Sequence, residues 1–220
     1  MGRLIKLECY KLLKDRLFWA IILLIILINS VMFAGQDISI DSLAQKMFLT
    51  IVIVSLYGTS FIAKDYEEKK IIYEILSGNS KTKILFAKIL ITALGIQIQL
   101  LVFPIVIGFI NNKFTDENLK IFLVIYFWLG IFLSFLATMM ANIFKSQGLS
   151  IGCAIVFHLI TLLSVNSSSV GFIMAHILPV GMIKLVLNNY VTLNQYTVTL
   201  IVWDLVLLIL ALICVKKSEF

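Results

Sequence analysis

Apolar residues fall along this chain in blocks of roughly twenty, the length needed to cross a hydrocarbon layer about 30 Å thick. Polar residues gather at the joints between blocks. The pattern predicts six spans, at about 17–34, 44–63, 84–110, 119–143, 148–165 and 197–215. The third contains Pro104, which removes an internal hydrogen bond and predicts a kink. The fourth and fifth are joined by a very short turn, Phe144 to Gln147. Ahead of the first span, RLIKLECYKLLKDR (residues 3–16) places Leu4, Ile5, Leu12 and Leu13 on one helical face, with Arg3, Lys6, Lys11 and Lys14 opposite. Lys11 and Asp15 stand one turn apart. A basic amphipathic helix of this kind lies at the headgroup level; the plainer reading is a positive stop for the first span.

Residues 166–196 break the rhythm. They are too apolar for a free loop, yet Pro179 and Gly181 interrupt them and Asn/Ser clusters bound them. The preferred reading is an extracellular re-entrant or surface-lying helix pair at the outer leaflet. The other is two further spans, although neither half reaches about eighteen apolar residues.

Composition points the same way. The chain is 61% hydrophobic and 14% charged, with mean hydropathy +1.06, whereas soluble domains carry about a quarter charged residues. No polar segment exceeds about thirty residues, too short for a core of its own. The expected fold is an all-α polytopic membrane protein with six transmembrane helices, residues 1–220 forming a single transmembrane domain. The run from Phe18 to Ala34 is long for a signal sequence and no small-x-small site follows it, so it reads as a retained span.

With the N-terminus inside, fourteen of the eighteen Lys+Arg fall on that side, leaving Lys46, Lys113, Lys120 and Lys184 on the other. Both termini are therefore expected in the cytoplasm. Membrane topology accounts for the net charge of +6, and nucleic acid is not needed as a partner.

Catalytic chemistry is missing from the sequence pattern. Cys9, Cys153 and Cys214 lie far apart, with neither disulfide-framework nor zinc spacing. His158 and His176 stand without an acid at metal-binding spacing, so no catalytic, metal or cofactor-binding residue is assigned. Lys81-Thr82 resemble the end of a phosphate-binding loop, but Ser80 and Ile75 occupy its two glycine positions. The expectation is a chain that is not itself an enzyme. Within the spans, Asp204 is the costliest residue, and it sits nearer the outer end of its span. A charge near the bilayer centre costs at least about 2.5 kcal/mol. Gln97 and Gln99 lie on nearly opposite faces of one helix; Gln97 and Asp204 are the candidate path-lining residues.

One charged island, 61–88, separates two long apolar runs: FIAKDYEEKKIIYEILSGNSKTKILFAK. Ile71, Ile72, Ile75 and Leu76 form a helical stripe. Asp65, Glu67 and Glu68 are expected in the turn before it, where the helix dipole favours acids. Gly78 suits a left-handed cap, and Ser80 can cap the next helix.

This island resembles that of the membrane subunits of ABC transporters of the type-2 permease family. Those read F-I-A-x-E-Y-x-x-G-T-I and then S-G-x-S-R-x-x-I with a following Lys. Phe61-Ile62-Ala63, Asp65-Tyr66, Ile71, Ser77-Gly78, Ser80, Ile84 and Lys88 stand at the matching places. Lys69-Lys70 replace the usual Gly-Thr, and Lys81 replaces the usual Arg. The basic N-terminus, six spans and apolar outer segment extend the likeness over the whole chain.

The resemblance implies that 64–83 is a cytoplasmic coupling loop that docks in a cleft of an ABC ATPase subunit, through Asp65, Tyr66, Glu67, Glu68, Ile71, Ile72, Ser77, Gly78 and Lys81. It implies ATP and Mg on that partner, none on this chain, and a second, identical or homologous permease chain. It also implies export of a hydrophobic or amphipathic substrate (an antimicrobial peptide such as a lantibiotic or bacteriocin, or a drug) through a bacterial plasma membrane. The alternative is a secondary transporter or membrane substrate-binding subunit using Asp204.

Overall fold

The computed structural model describes residues 1–33, 40–110, 116–166 and 170–217. Among them are ten helices and no strand: α1 (Gly2–Lys14), α2 (Arg16–Phe33), α3 (Ile40–Glu67), α4 (Lys70–Leu76), α5 (Lys81–Ile110), α6 (Asp116–Phe144), α7 (Gln147–Val165), α8 (Gly171–Ile177), α9 (Pro179–Leu187) and α10 (Leu193–Lys217). Five are long and apolar enough to cross a membrane, and six if α1 and α2, bent by 54°, count as one span. These are the helices of a multi-pass membrane protein.

Helix α6 is the hub, packed against α3, α5, α7 and α10. Its sequence explains the position. Gly130, Ser134, Ala137, Thr138 and Ala141 present little bulk, and small residues let membrane helices approach closely. Ala137 and Ala141 meet Ile62 and Ala63 of α3. Toward the other end, Phe103, Phe122 and Tyr126 gather with ring centroids 6.0–6.3 Å apart, filling the space between α5 and α6. Peripheral helices instead turn apolar side chains outward, as Leu23, Leu27 and Val31 do on α2.

Several boundaries differ from those expected. α3 runs on to Glu67, past the hydropathy boundary at 63, because loss of apolarity marks the edge of the lipid and not the end of a helix. α5 begins at Lys81 and carries Pro104 in its interior as one continuous element. The turn after α6 is only two residues, with Lys145 at φ 50°. The expected joint between the first two spans lies mainly at 34–39, outside the described residues, as do 111–115 and 167–169.

Within 166–196, α8 and α9 have seven and nine residues, each too short to cross. Most of α9 is buried, packing on α3, α6, α7 and α10. Helix α1 also packs on protein: Leu4, Glu8 and Leu12 are its buried positions. Leu12 enters where Gly95 of α5 leaves room, since a Cβ there would lie 2.9 Å from its Cδ1. Leu13, expected on the same apolar stripe, is 55% exposed.

Candidate functional site

The charged island folds as a bracketed helix. After α3 the chain reverses at Lys69, whose φ of 55° and ψ of 20° are left-handed. α4 follows, and Gly78 at φ 87° ends it. Glycine has no Cβ to clash in that region. Ser77 Oγ and Asn79 Nδ2 donate to the carbonyl of Glu74 at 2.7 and 3.1 Å, satisfying the helix end. Ser80 Oγ accepts from the Lys83 amide at 3.4 Å and caps α5, as its position suggests.

Beneath α4 lies a cluster of five acidic and basic side chains drawn from four helices. Lys11 Nζ of α1 stands 2.8 Å from Glu8 Oε1, 3.0 Å from Asp65 Oδ2 and 3.0 Å from Glu74 Oε1. Lys88 of α5 binds the same three oxygens: Glu8 at 3.1 Å, Glu74 at 3.8 Å, and Asp65 most closely. The Lys88 side chain is 2% exposed. Three carboxylates this close would suit a divalent cation, but here the two ammonium groups occupy the space between them. The cluster has one more carboxylate than ammonium, and Glu8 Oε2 and Glu74 Oε2 carry no hydrogen bond among the described residues. Burial lowers the Lys11 pKa, yet the charges of Asp65 and Glu8 outweigh that and hold it above its ordinary value.

The cluster changes the reading of the acids. Asp65 and Glu67 lie in the last turn of α3, where the helix dipole opposes a negative charge. Their compensation comes from specific partners. Asp65 has Lys88 and Lys11. Glu67 Oε2 accepts from the backbone N–H of Gln147, the first residue of α7, at 2.7 Å. Exposed Glu68 is held below the usual carboxylate range by its hydrogen bond to Lys70.

The remaining residues of the expected coupling surface divide between inside and outside. Ile71 is buried at 3% exposure, packing inward with Glu74. Tyr66, Ile72 and Lys81 are half-buried, and Ser77 and Gly78 are exposed. Leu76, expected on the same stripe as Ile71, is 77% exposed, and Tyr73 is 71% exposed. The side chains of α4 that project farthest are therefore apolar and aromatic.

Of the five, only Asp65 is among the expected site residues; Glu8, Lys11, Glu74 and Lys88 are not. Their signal was weak but present: Glu8 is an acid on the apolar face of a basic helix, and Lys88 is a charge inside an apolar run.

Gln97 and Asp204 are not brought together by a contact. Gln97 Nε2 donates to the Phe127 carbonyl at 2.6 Å, across a gap left by Gly130. Gln99 points to α2 instead, toward the Phe18 carbonyl. Asp204 lies near the middle of α10 and is 7% exposed. Neither of its carboxylate oxygens has a hydrogen-bond partner among the described residues.

No known protein family matches the chain, and no characterised protein matches its sequence.

Proposed function

We propose that this chain is the permease subunit of an ATP-binding cassette exporter of a bacterial plasma membrane. The observation that carries the reading is α4, a short helix held between two spans. Tyr73 and Leu76 face outward on it, and Ile71 and Glu74 are anchored inward. A load on its outer face passes through Glu74 to Lys11 and Lys88, and so into α1 and α5. Such a part suits a lever driven by a separate ATPase subunit, which binds ATP and Mg. Two permease chains face each other across the path. Both termini lie in the cytoplasm, α1 rests at the headgroup level, and 166–196 folds back at the outer leaflet. The cargo is hydrophobic or amphipathic, a peptide or a drug.

The test is a pull-down of tagged full-length chain from its native host in mild detergents, wild type beside Tyr73→Asp/Leu76→Asp. Both positions are exposed on α4, and unchanged far-UV circular dichroism checks that the variant keeps its fold. An ATP-binding subunit is expected with wild type and lost from the variant. Failure to recover one with wild type in several detergents overturns the proposal.

A second reading, a secondary transporter or membrane substrate-binding subunit, is favoured by one observation: the buried, unpartnered carboxylate of Asp204. It predicts that Asp204→Asn abolishes transport by a chain that recovers no ATPase.

A further inference from the structure

The elbow between α1 and α2 forms one wall of an open groove of about 420 Å³, and the last turns of α3 and the start of α4 form the other. Its lining is strongly basic: Lys11, Lys14, Arg16, Lys64 and Lys70, against Asp15 and Asp65. Both acids are already engaged. Asp15 accepts from the Leu17 amide and from the Tyr57 hydroxyl, each at 3.0 Å, while Asp65 belongs to the ion cluster. Lys11 is spent on the same cluster, and Lys64 and Lys70 share Glu68. Lys14 and Arg16 are different. Both are exposed, and neither has a carboxylate within 4.0 Å among the described residues; Lys14 Nζ lies 4.7 Å from the centre of the exposed Tyr10 ring, which leaves its charge uncompensated. The groove therefore keeps a surplus of positive charge at its mouth.

Apolar side chains flank the elbow, Leu17 lining the groove itself and Leu13 and Trp19 standing beside it in sequence. Leu13, Leu17 and Trp19 are each more than half exposed, and Trp19 Nε1 is pinned to the Leu13 carbonyl at 3.0 Å. Tryptophan with its N–H engaged beside apolar neighbours is typical of the membrane–water boundary. Below the rim, Leu17, Leu24 and Val31 recur at intervals of seven on the outer surface of α2, all exposed. The basic groove thus adjoins an exposed apolar strip through Leu17, which belongs to both.

We infer that this groove is a binding site for an anionic phospholipid, whose phosphate lies between Lys14 and Arg16 and whose acyl chains follow the Leu17–Leu24–Val31 strip. The charge complements the phosphate, and the contiguous strip selects a membrane lipid over a soluble phosphate. Basic pockets beside membrane helices bind anionic headgroups by the same electrostatics. The inference concerns the α1–α2 elbow and stands whether or not an ATPase docks on α4.

The experiment is a lipid titration of delipidated full-length protein in detergent, read by native mass spectrometry. Phosphatidylglycerol is compared with phosphatidylcholine on wild type, on Lys14→Gln/Arg16→Gln, and on Lys216→Gln/Lys217→Gln. The last removes the same charge from the exposed end of α10. Wild type is expected to prefer phosphatidylglycerol. The elbow variant should bind it roughly 30-fold more weakly, from about 1 kcal/mol for each cation, while the α10 variant stays within about twofold. Lys14→Arg should retain binding. Equal binding of the two lipids, or an equal loss in the α10 variant, overturns the inference. So does displacement of the lipid by inorganic phosphate, which would make the groove a soluble-anion site. Unchanged far-UV circular dichroism separates lost binding from lost fold.

Discussion

Buried ionisable groups occur in two settings in this protein, and they are handled in opposite ways. Under α4, each of Glu8, Asp65 and Glu74 has an oxygen within 4 Å of an ammonium, and Lys11 and Lys88 each touch all three acids. In the middle of α10, Asp204 has no partner among the described residues. The same is true of the hydroxyls of Tyr196 and Tyr126 and of both ring nitrogens of His158. The first arrangement fixes the relative placement of four helices, because breaking any pair strands a buried charge. The polar atoms of the second set hold no helix in place through hydrogen bonds, although the rings of Tyr126 and His158 pack in the core. Unsatisfied polar groups in an interior are tolerated where water or a ligand completes them. The contrast gives the cluster a scaffolding part and leaves Asp204 a buried carboxylate with no hydrogen bond to lose among the described residues.

The largest effect should come from breaking the cluster. Lys88→Met leaves three buried carboxylates facing Lys11 alone, and should cost about 3–5 kcal/mol, read as a lower midpoint in thermal unfolding of the detergent-solubilised protein. A loss below about 1 kcal/mol would mean that the cluster is hydrated and behaves like a surface ion pair. Gly130→Ala should come next. The added Cβ would lie 2.5 Å from Gln97 Nε2, displacing it from the Phe127 carbonyl at a cost of about 1–3 kcal/mol.

Asp204→Leu should move the other way. Replacing a buried polar group that has no bond to lose is neutral or stabilising, by up to about 1 kcal/mol, while transport or substrate-dependent stabilisation falls. Destabilisation comparable to that of Lys88→Met would erase the distinction between the two settings and make Asp204 a structural residue.

The two settings were also unequally legible in the sequence. Apolar block length is a local property, so the long helices could be read directly. So could the end of α4, where Gly78 carries the left-handed backbone and Ser80 the cap. The ion cluster could not be read, because Glu8 and Lys88 are eighty positions apart and no local pattern joins them. Local pattern offers Asp65 only a helix dipole, whereas its partners come from α1 and α5. Lys11 was paired with Asp15 one turn away for the same reason. In the structure, Asp15 instead accepts from Tyr57. Asp204 was conspicuous from the start, since a lone acid in an apolar run needs no partner to be noticed.

The finest test concerns the hinge that carries α4 over the cluster. Lys69 adopts φ 55°, where an L-residue's Cβ crowds the following carbonyl at a cost of roughly 1 kcal/mol. The side chain is exposed and makes no ion pair among those found in the described residues. Glycine relieves the crowding but adds freedom to the unfolded chain, so Lys69→Gly should stabilise by less than about 1 kcal/mol. If α4 is held by Glu74 and Ile71, loosening the hinge leaves its position unchanged, and the small gain appears in thermal unfolding. If Lys69→Gly destabilises instead, the left-handed hinge and not the ion cluster holds α4 in place, and the scaffolding part assigned to the cluster fails.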